Sequence, residues 1–397
     1  MASADQREDM MDLARRALAH CLNQTTDTTE TIMTMPIEAY TDEKRYQAER
    51  NRIFSSLPIA GALSIELPSP GNYKTISILE KPLLLVRGDD GKARAFLNVC
   101  RHRGARICEA EEGVVKKFSC PYHSWVYDLQ GNLTSRYAAN TFGDLDHTSL
   151  GLTPVGCEEE AGIIWLTLDS SEEIDMKKWL GGMHEKLASL DLGNWHLFKK
   201  RELEGPGWKV TMDGYLEIYH HNTVHGRTVG QHTIGNLLVL DTHGPHQRLT
   251  LGRKSLKSLE TQPEEHWEPL EHIRLVHNCF PNLSISGILG DHCLVSFVFP
   301  GPTADTTRTI QYTLASEIPE TKAELEAAEN FSAMVLQAVQ DEDYRLGLLI
   351  QDGIKAGANT QFLYGKNEPA VQNYHRWIDH FMRQEKDFSW DPAADQG

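Results

Sequence analysis

Between residues 98 and 125 the chain reads NVCRHRGARICEAEEGVVKKFSCPYHSW, in which Cys100 pairs with His102 and Cys120 with His123. Two thiols and two imidazoles this close together are the donor set of a metal site. One reading is coincidence, buried cysteines beside surface histidines. A second is structural zinc, because Cys2His2 is a common tetrahedral set. A third is a [2Fe–2S] cluster with two thiolates on one iron and two imidazoles on the other. A zinc finger places both cysteines first and both histidines later, on a helix. Here each pair holds one of each, between runs that read as strands. Two similar loops suit a two-iron rhomb, each loop giving one ligand to each iron. Gly104 and Pro121 suit tight loops that leave amides free to bond the sulfurs.

A second constellation lies about a hundred residues on, in MDGYLEIYHHNTVH, where Glu217, His220 and His225 follow one another. On a helix Glu217 and His220 share a face, whereas His220 and His225 stand about 140° apart. They can converge only where the helix ends or is distorted, and a π-type bulge is one such distortion. His221 does not fit the spacing and reads as a bystander or as a group supporting a ligand. A carboxylate to complete a 2-His-1-carboxylate set is offered by SAMVLQAVQDEDYRLGLLIQDG. At helical spacing Leu336, Val339, Asp343, Leu346 and Ile350 form one stripe, and Asp343 is its only charged member. A carboxylate in an apolar stripe is costly unless paired or bound to metal. Asp341 falls on a more polar face, beside Ala338 and Arg345.

CRHRG and CPYHSWVYDLQGNL together resemble the signature of the oxygenase component, the α subunit, of Rieske non-haem iron oxygenases of the aromatic-ring-hydroxylating type. The resemblance runs from about residue 40 to 385. It implies that Cys100 and Cys120 hold the inner iron of the cluster and His102 and His123 the outer one. It further implies that His220, His225 and Asp343 hold a mononuclear Fe(II) that activates O2. Gln340, Glu342 and Asp343, with the later Gln351 and Gly353, match another element of the family. Many relatives carry Asn just before the histidine element, where Gly214 stands here. In the family an acidic residue at the place of Glu217 bridges an iron-ligating histidine to a cluster histidine of the neighbouring subunit, across a closed ring of three. A homotrimer, with or without a β subunit, is therefore expected. Electrons would come from NAD(P)H through a separate flavin and [2Fe–2S] reductase, directly or through a ferredoxin. This chain has no GxGxxG nucleotide fingerprint of its own. The expected reaction is mono- or dihydroxylation, or oxidative demethylation, of a small, largely apolar organic substrate. The alternative is a non-catalytic Rieske electron carrier or regulator.

The elements that must position these groups show in the texture of the chain. Its 397 residues suffice for two cores. Residues 1–50 read as helical, with Asp42 as an N-cap, and residues 58–168 as an all-β unit of short runs divided by Gly, Pro and Asp. The stretch 170–230 reads as helical again, 235–315 as strands, and roughly 319–350 as one long helix. The expected fold is α+β. An all-β Rieske domain, 58–168, is inserted in a larger catalytic domain made of 1–57 and 169–397, with an antiparallel sheet flanked by helices. The strands at 280–300 and the helix at 335–350 would wall the substrate pocket. Phe280, Phe297, Phe299 and Phe331 are the aromatics available to it, an aromatic cage being what a quaternary ammonium group favours. Cys108 lies outside the cluster motif and reads as a packed core thiol.

A net charge of −17 argues against a nucleic-acid partner. No apolar run reaches membrane-spanning length, and the charged start MASADQREDMMDLARRALAH is no secretory signal. Seven sparse cysteines suit a reducing compartment, so a cytoplasmic location is expected.

Overall fold

The computed structural model describes residues 4–287 and 291–383, with side chains from Gln6 onward. Two compact units emerge. The smaller consists of Phe54–Trp179 with Leu190–Asn194, and the larger of the described residues up to Ile53, Leu180–Ser189 and those from Trp195 on.

The smaller unit is all-β. Its seven-stranded sheet is antiparallel throughout, in the order Ile59–Leu63, Ile163–Thr167, Pro154–Glu160, Ala93–Leu97, Lys81–Arg87, Asn72–Ile78, Glu112–Val114. A three-stranded sheet of Phe118–Ser119, Val126–Tyr127 and Leu133–Ser135 accompanies it. Cys100 and Cys120 both belong to its hydrophobic core, with Tyr73, Leu84, Phe96, Trp125 and Tyr127. Cys108 packs against the edge of that core. The unit runs past residue 168 because the following segment stays tied to the sheet, Gly156 N–H donating to Ser170 O at 2.6 Å. The side chains of Lys74 and Glu66, both 3% exposed, pair at 2.7 Å.

The larger unit is built on a second seven-stranded antiparallel sheet, ordered His196–Gly205, Thr307–Ala315, His292–Pro300, Leu283–Ser286, Ile273–Cys279, His246–Arg253, Thr233–His243. The first helix, Ala4–Asn23, covers one face, burying Leu13, Ala14 and Ala17 against Leu237, Val239 and Leu275. On the other face Phe331, Val335 and Val339 pack with Leu203 and Leu294. Phe331 and Val335 come from a helix, Lys322–Leu336, that begins at a capping box of Thr321 and Glu324, and Val339 from the turn that follows it. No helix among the described residues is long and apolar enough to cross a membrane.

Three expectations from the sequence are corrected. Residues 1–50 are not all helical: Met33–Pro36 is a strand paired with Gln361–Tyr364. Asp42 does cap the helix Glu43–Glu49, accepting from Arg45 N–H. His196–Gly205, inside the stretch read as helical, is a ten-residue edge strand. Its five charges in HLFKKRELEG hide the alternation, and charged residues are how edge strands avoid further pairing. The long helix is not uniformly α. Gln337–Tyr344 is a π-helical turn between Lys322–Leu336 and Arg345–Ala356.

Candidate metal centres

In the smaller unit two loops with the same closure carry the Cys-His pairs. Cys100 N–H donates to Ala105 O at 2.8 Å and Gly104 N–H to Cys100 O at 2.9 Å. In the other loop Cys120 N–H donates to Trp125 O at 2.8 Å and Ser124 N–H to Cys120 O at 3.0 Å. Each loop turns at its fifth residue through a positive φ, +79° at Gly104 and +52° at Ser124. Glycine adopts this conformation freely, whereas serine does so at a cost. Asn98, 2% exposed, clamps the base of the first loop. Its Oδ1 accepts from Ile107 and Cys108 N–H at 3.0 Å each, and its Nδ2 donates to Cys108 O at 2.7 Å.

The thiols point inward and the imidazoles outward. Cys100 and Cys120 are buried, while His102 and His123 are half-buried. His102 Nδ1 and His123 Nδ1 face each other at 3.1 Å. Two ligands on one tetrahedral metal with bonds of about 2.1 Å lie about 3.4 Å apart, so the imidazole pair fits a single ion. His102 stacks on Trp125, ring centroids 5.0 Å apart and planes 5° off parallel. Tyr127, which sequence reasoning passed over, places its Oη 3.5 Å from Cys100 Sγ and accepts from Arg101 N–H at 3.1 Å.

In the larger unit the helix Trp208–Tyr215 ends before the candidate ligands. His220 caps a four-residue helix, His221–Val224, and His225 follows it. The two histidines converge because the helix stops, not because it bulges. Glu217 holds the break: its Oε2 accepts from His220 N–H at 3.1 Å and its Oε1 from His220 Nδ1. The π-helical distortion lies instead in the turn bearing the carboxylates, Gln337–Tyr344. Asp343 Oδ1 is 3.0 Å from His225 Nε2 and 3.5 Å from His220 Nε2, and the two Nε2 atoms are 3.1 Å apart. Adjacent ligands of an octahedral ion with bonds of about 2.1 Å lie about 3.0 Å apart, so these three atoms can share one face of an ion. Asp341 is exposed.

Glu342 has a part that sequence spacing did not suggest. Its Oε2 accepts from His225 Nδ1 at 2.7 Å and from Thr228 Oγ1 at 2.6 Å. The wide turn lets two consecutive carboxylates, Glu342 and Asp343, face the same imidazole from its two sides. Each histidine thereby gives one nitrogen to a carboxylate and keeps Nε2 for the centre, the arrangement that fixes tautomer and ring angle in metal sites. His221 brings a third imidazole, its ligating atom within 4.8 Å of those of His220 and His225. Gly214 lines the neighbouring cavity. The polar group beside it is Asp213, bound by Tyr40 at 2.6 Å, Tyr364 at 3.0 Å and His375 at 2.8 Å. Gln351, 4% exposed, accepts from Gly207 N–H at 3.4 Å and so ties the start of the helix Trp208–Tyr215 to the helix Arg345–Ala356.

A cavity of ≈250 Å3 opens beside His220, His225 and Asp343. Ser284, Ser286, Leu294 and Ser296 form part of its floor and Val335, Ala338 and Val339 part of its wall, so the expected strands and helix do enclose it. Of the four phenylalanines proposed for it, Phe331 lines it. Phe280 packs on Tyr374 and Phe381, Phe297 on Tyr312, and Phe299 under Arg308, all in the core.

Residues 59–145 match the Rieske [2Fe-2S] domain model, and residues 192–384 match that of the ring hydroxylating alpha subunit, catalytic domain. The glycine betaine monooxygenase oxygenase subunit of Chromohalobacter salexigens is 31% identical over 66% of this chain and 56% of its own length. The benzene 1,2-dioxygenase subunit alpha of Pseudomonas putida is 37% identical over 36% of this chain and 32% of its own. The chain thus spans about half the length of the first of these curated relatives and about a third of the second. A crystal structure of a quaternary ammonium Rieske monooxygenase in complex with L-carnitine shares the fold, with a TM-score of 0.76, 21% identity and coverage of 94% of this chain and 99% of that one. With both domain models matched in order, over loops and helices that gather the two donor sets, the chain belongs to the family of Rieske oxygenase alpha subunits.

Proposed function

We propose that the chain is the terminal oxygenase of a multicomponent system that hydroxylates or oxidatively demethylates a small, largely apolar organic substrate. The observation that carries this reading is the trio of His220 Nε2, His225 Nε2 and Asp343 Oδ1, mutually within 3.0–3.5 Å, on the wall of a largely apolar cavity. A pure electron carrier has no use for a second donor set beside such a cavity. The cluster-bearing domain is 58–168 and the catalytic domain 1–57 with 169–397, a division supported by the compact unit Phe54–Trp179.

Cys100, Cys120, His102 and His123 would hold the [2Fe–2S] cluster, and His220, His225 and Asp343 the mononuclear iron. When bound, the cluster would supply electrons one at a time and the mononuclear iron would supply O2 activation. The side chains do the rest. Glu217 and Glu342 hold protons on the two Nδ1 atoms, which turns both Nε2 lone pairs toward the centre. Ile218, Val229, Leu249 and Leu251 line the cavity and keep water from the reacting carbon. At about 250 Å3 the space lies just under the range of pockets for drug-sized ligands, roughly 300–1,000 Å3, so the substrate is small.

Electrons reach the chain from NAD(P)H through a separate flavin and [2Fe–2S] reductase, directly or by way of a ferredoxin. The assembly is a homotrimer, with or without a β subunit, in which Glu217 links His220 of its own chain to His123 of the next protomer. The contact of Glu217 with His220 supports the near half of this bridge. A cytoplasmic setting is supported by the cysteines, all seven of which are unpaired thiols.

The test supplies a surrogate reductase and NADH and follows O2 and NADH together across a substrate panel. Substrate-dependent O2 consumption coupled to NADH is expected. Cluster reduction without any substrate-dependent O2 consumption would support the carrier instead. Glu217→Gln should keep both metals and the trimer but slow reoxidation of the pre-reduced cluster in a single turnover. Normal reoxidation would remove the bridge.

A further inference from the structure

Two arginines line the same cavity as the candidate iron ligands. Arg253 ends the strand His246–Arg253, and Arg274 lies on the adjacent strand opposite Leu251. Since side chains alternate along a strand, Leu249, Leu251 and Arg253 share the face turned to the cavity. Neither arginine forms an ion pair among the described residues. Arg253 Nη1 donates to Glu271 O at 2.9 Å, and Arg274 Nη1 to Ile273 O at 2.7 Å and to Leu270 O. The remaining guanidinium nitrogens of both have no protein partner among the described residues. The carboxylates lining the cavity, Glu217 and Asp343, are already engaged by His220 and His225.

Two guanidinium groups half-withdrawn from water on one wall, with no counter-charge among the described residues, are an unfavourable arrangement by themselves. Burial, and then the charge of Arg253, push Arg274 down to about 10. An anion completes such an arrangement. A carboxylate does so best, because its two oxygens match the planar fork of a guanidinium.

We propose that Arg253 and Arg274 form a carboxylate-binding end of the substrate cavity, so that the substrate is a small organic acid whose carboxylate is held on the sheet while another carbon is presented to the iron ligands. The proposal rests on the oxygenase reading for its second half only. The lining also explains why an aromatic cage is not the organising feature here: among the described residues Phe331 and Tyr215 are its only non-histidine aromatics, and two cations on its wall would repel a quaternary nitrogen.

The experiment measures binding without turnover, on iron-loaded protein kept anaerobic, by ligand-observed NMR and calorimetry. The probes are benzoate, phenylacetate and hexanoate, each against its primary amide. At least one acid should bind about tenfold or more tightly than its amide, the range expected when a charged hydrogen-bonding group is lost. Arg274→Gln and Arg253→Gln, each with unchanged iron content and circular dichroism, should bring acid and amide to parity, and Arg274→Lys should recover part of the preference. Parity in the wild-type protein, no acid bound at all, or acid binding undiminished in both glutamine variants would overturn the proposal. Because no step of the assay needs oxygen or a reductase, failure of the oxygenase reading would show separately, as acid binding that is intact in a protein without turnover.

Discussion

Glu342 offers the sharpest mutational test of how the mononuclear centre is held. Its Oε2 accepts two short hydrogen bonds, 2.7 Å from His225 Nδ1 and 2.6 Å from Thr228 Oγ1. Glu342→Gln keeps the shape but removes the charge, and it presents an amide that can face Nδ1–H with its donor as readily as with its oxygen. The ring of His225, 3% exposed, has no room to seek water instead. Loss of such a support costs about 10–100-fold in metal affinity, equivalent to about 1.4–2.7 kcal/mol. Gln337→Ala serves as the control, since Gln337 Nε2 reaches Glu342 only at 3.4 Å and from an exposed position. The assay is competitive titration of Fe(II) against a chelator, with the cluster absorbance followed in the same sample. Glu342→Gln should weaken the mononuclear site and leave the cluster spectrum intact, and Gln337→Ala should change neither. Wild-type iron affinity in Glu342→Gln would mean that the angle of His225 is set by packing alone, and the reasoning would fall.

Two further outcomes follow from named contacts. Tyr127→Phe removes the hydroxyl 3.5 Å from Cys100 Sγ. It should lower the cluster's reduction potential by about 40 mV, the equivalent of roughly 1 kcal/mol for a one-electron couple, without loss of cluster. Spectroelectrochemistry checks it, an unchanged potential being the contrary result. Asp9 feels burial, which raises its pKa, but bonds from Arg248 and Lys186 outweigh this and hold it at about 2 against an ordinary 3.8. Its folded pKa is depressed, so its stabilisation is present above about pH 4 and is lost as pH falls toward 2. Asp9→Asn should cost about 1–1.5 kcal/mol at pH 7 once solvent screening of a partly exposed group is allowed for. Denaturant titrations should show the difference between the variant and the wild-type protein shrinking between pH 4 and 2.

What was legible in the sequence was local. Cys100-His102 and Cys120-His123 lie in two loops of the same construction, and their spacing alone marks both. Tyr127 and Ser124 carry no such mark, because a hydrogen bond to sulfur and a positive φ depend on how the loops face each other. Asp343 was legible because Leu336 and Val339 precede it at helical spacing, although Val339 and Asp343 themselves lie in the π-helical turn Gln337–Tyr344. That turn adds a residue, so the buried positions after Val339 become Tyr344, Gly347, Gln351 and Ile354. Ile350, placed on the stripe by periodicity, is exposed. The same turn brings Glu342 to His225, which no fixed period predicts. Arg253 and Arg274 sit in runs of strand-forming residues far from either motif, and only the pairing of two strands puts them on one wall. The strand His196–Gly205 was missed because an edge strand needs only one buried side, and charge covers the other.

The central claim is that one chain holds two iron centres with separate ligand sets. Metal analysis of purified wild-type protein beside Asp343→Ala and Asp341→Ala tests it most directly. About three irons per chain are expected in the wild-type protein and in Asp341→Ala. For Asp343→Ala about two are expected, with an unchanged Rieske absorbance and no turnover. Two irons in the wild-type protein, zinc in place of iron, or loss of the mononuclear iron in Asp341→Ala rather than in Asp343→Ala would contradict it.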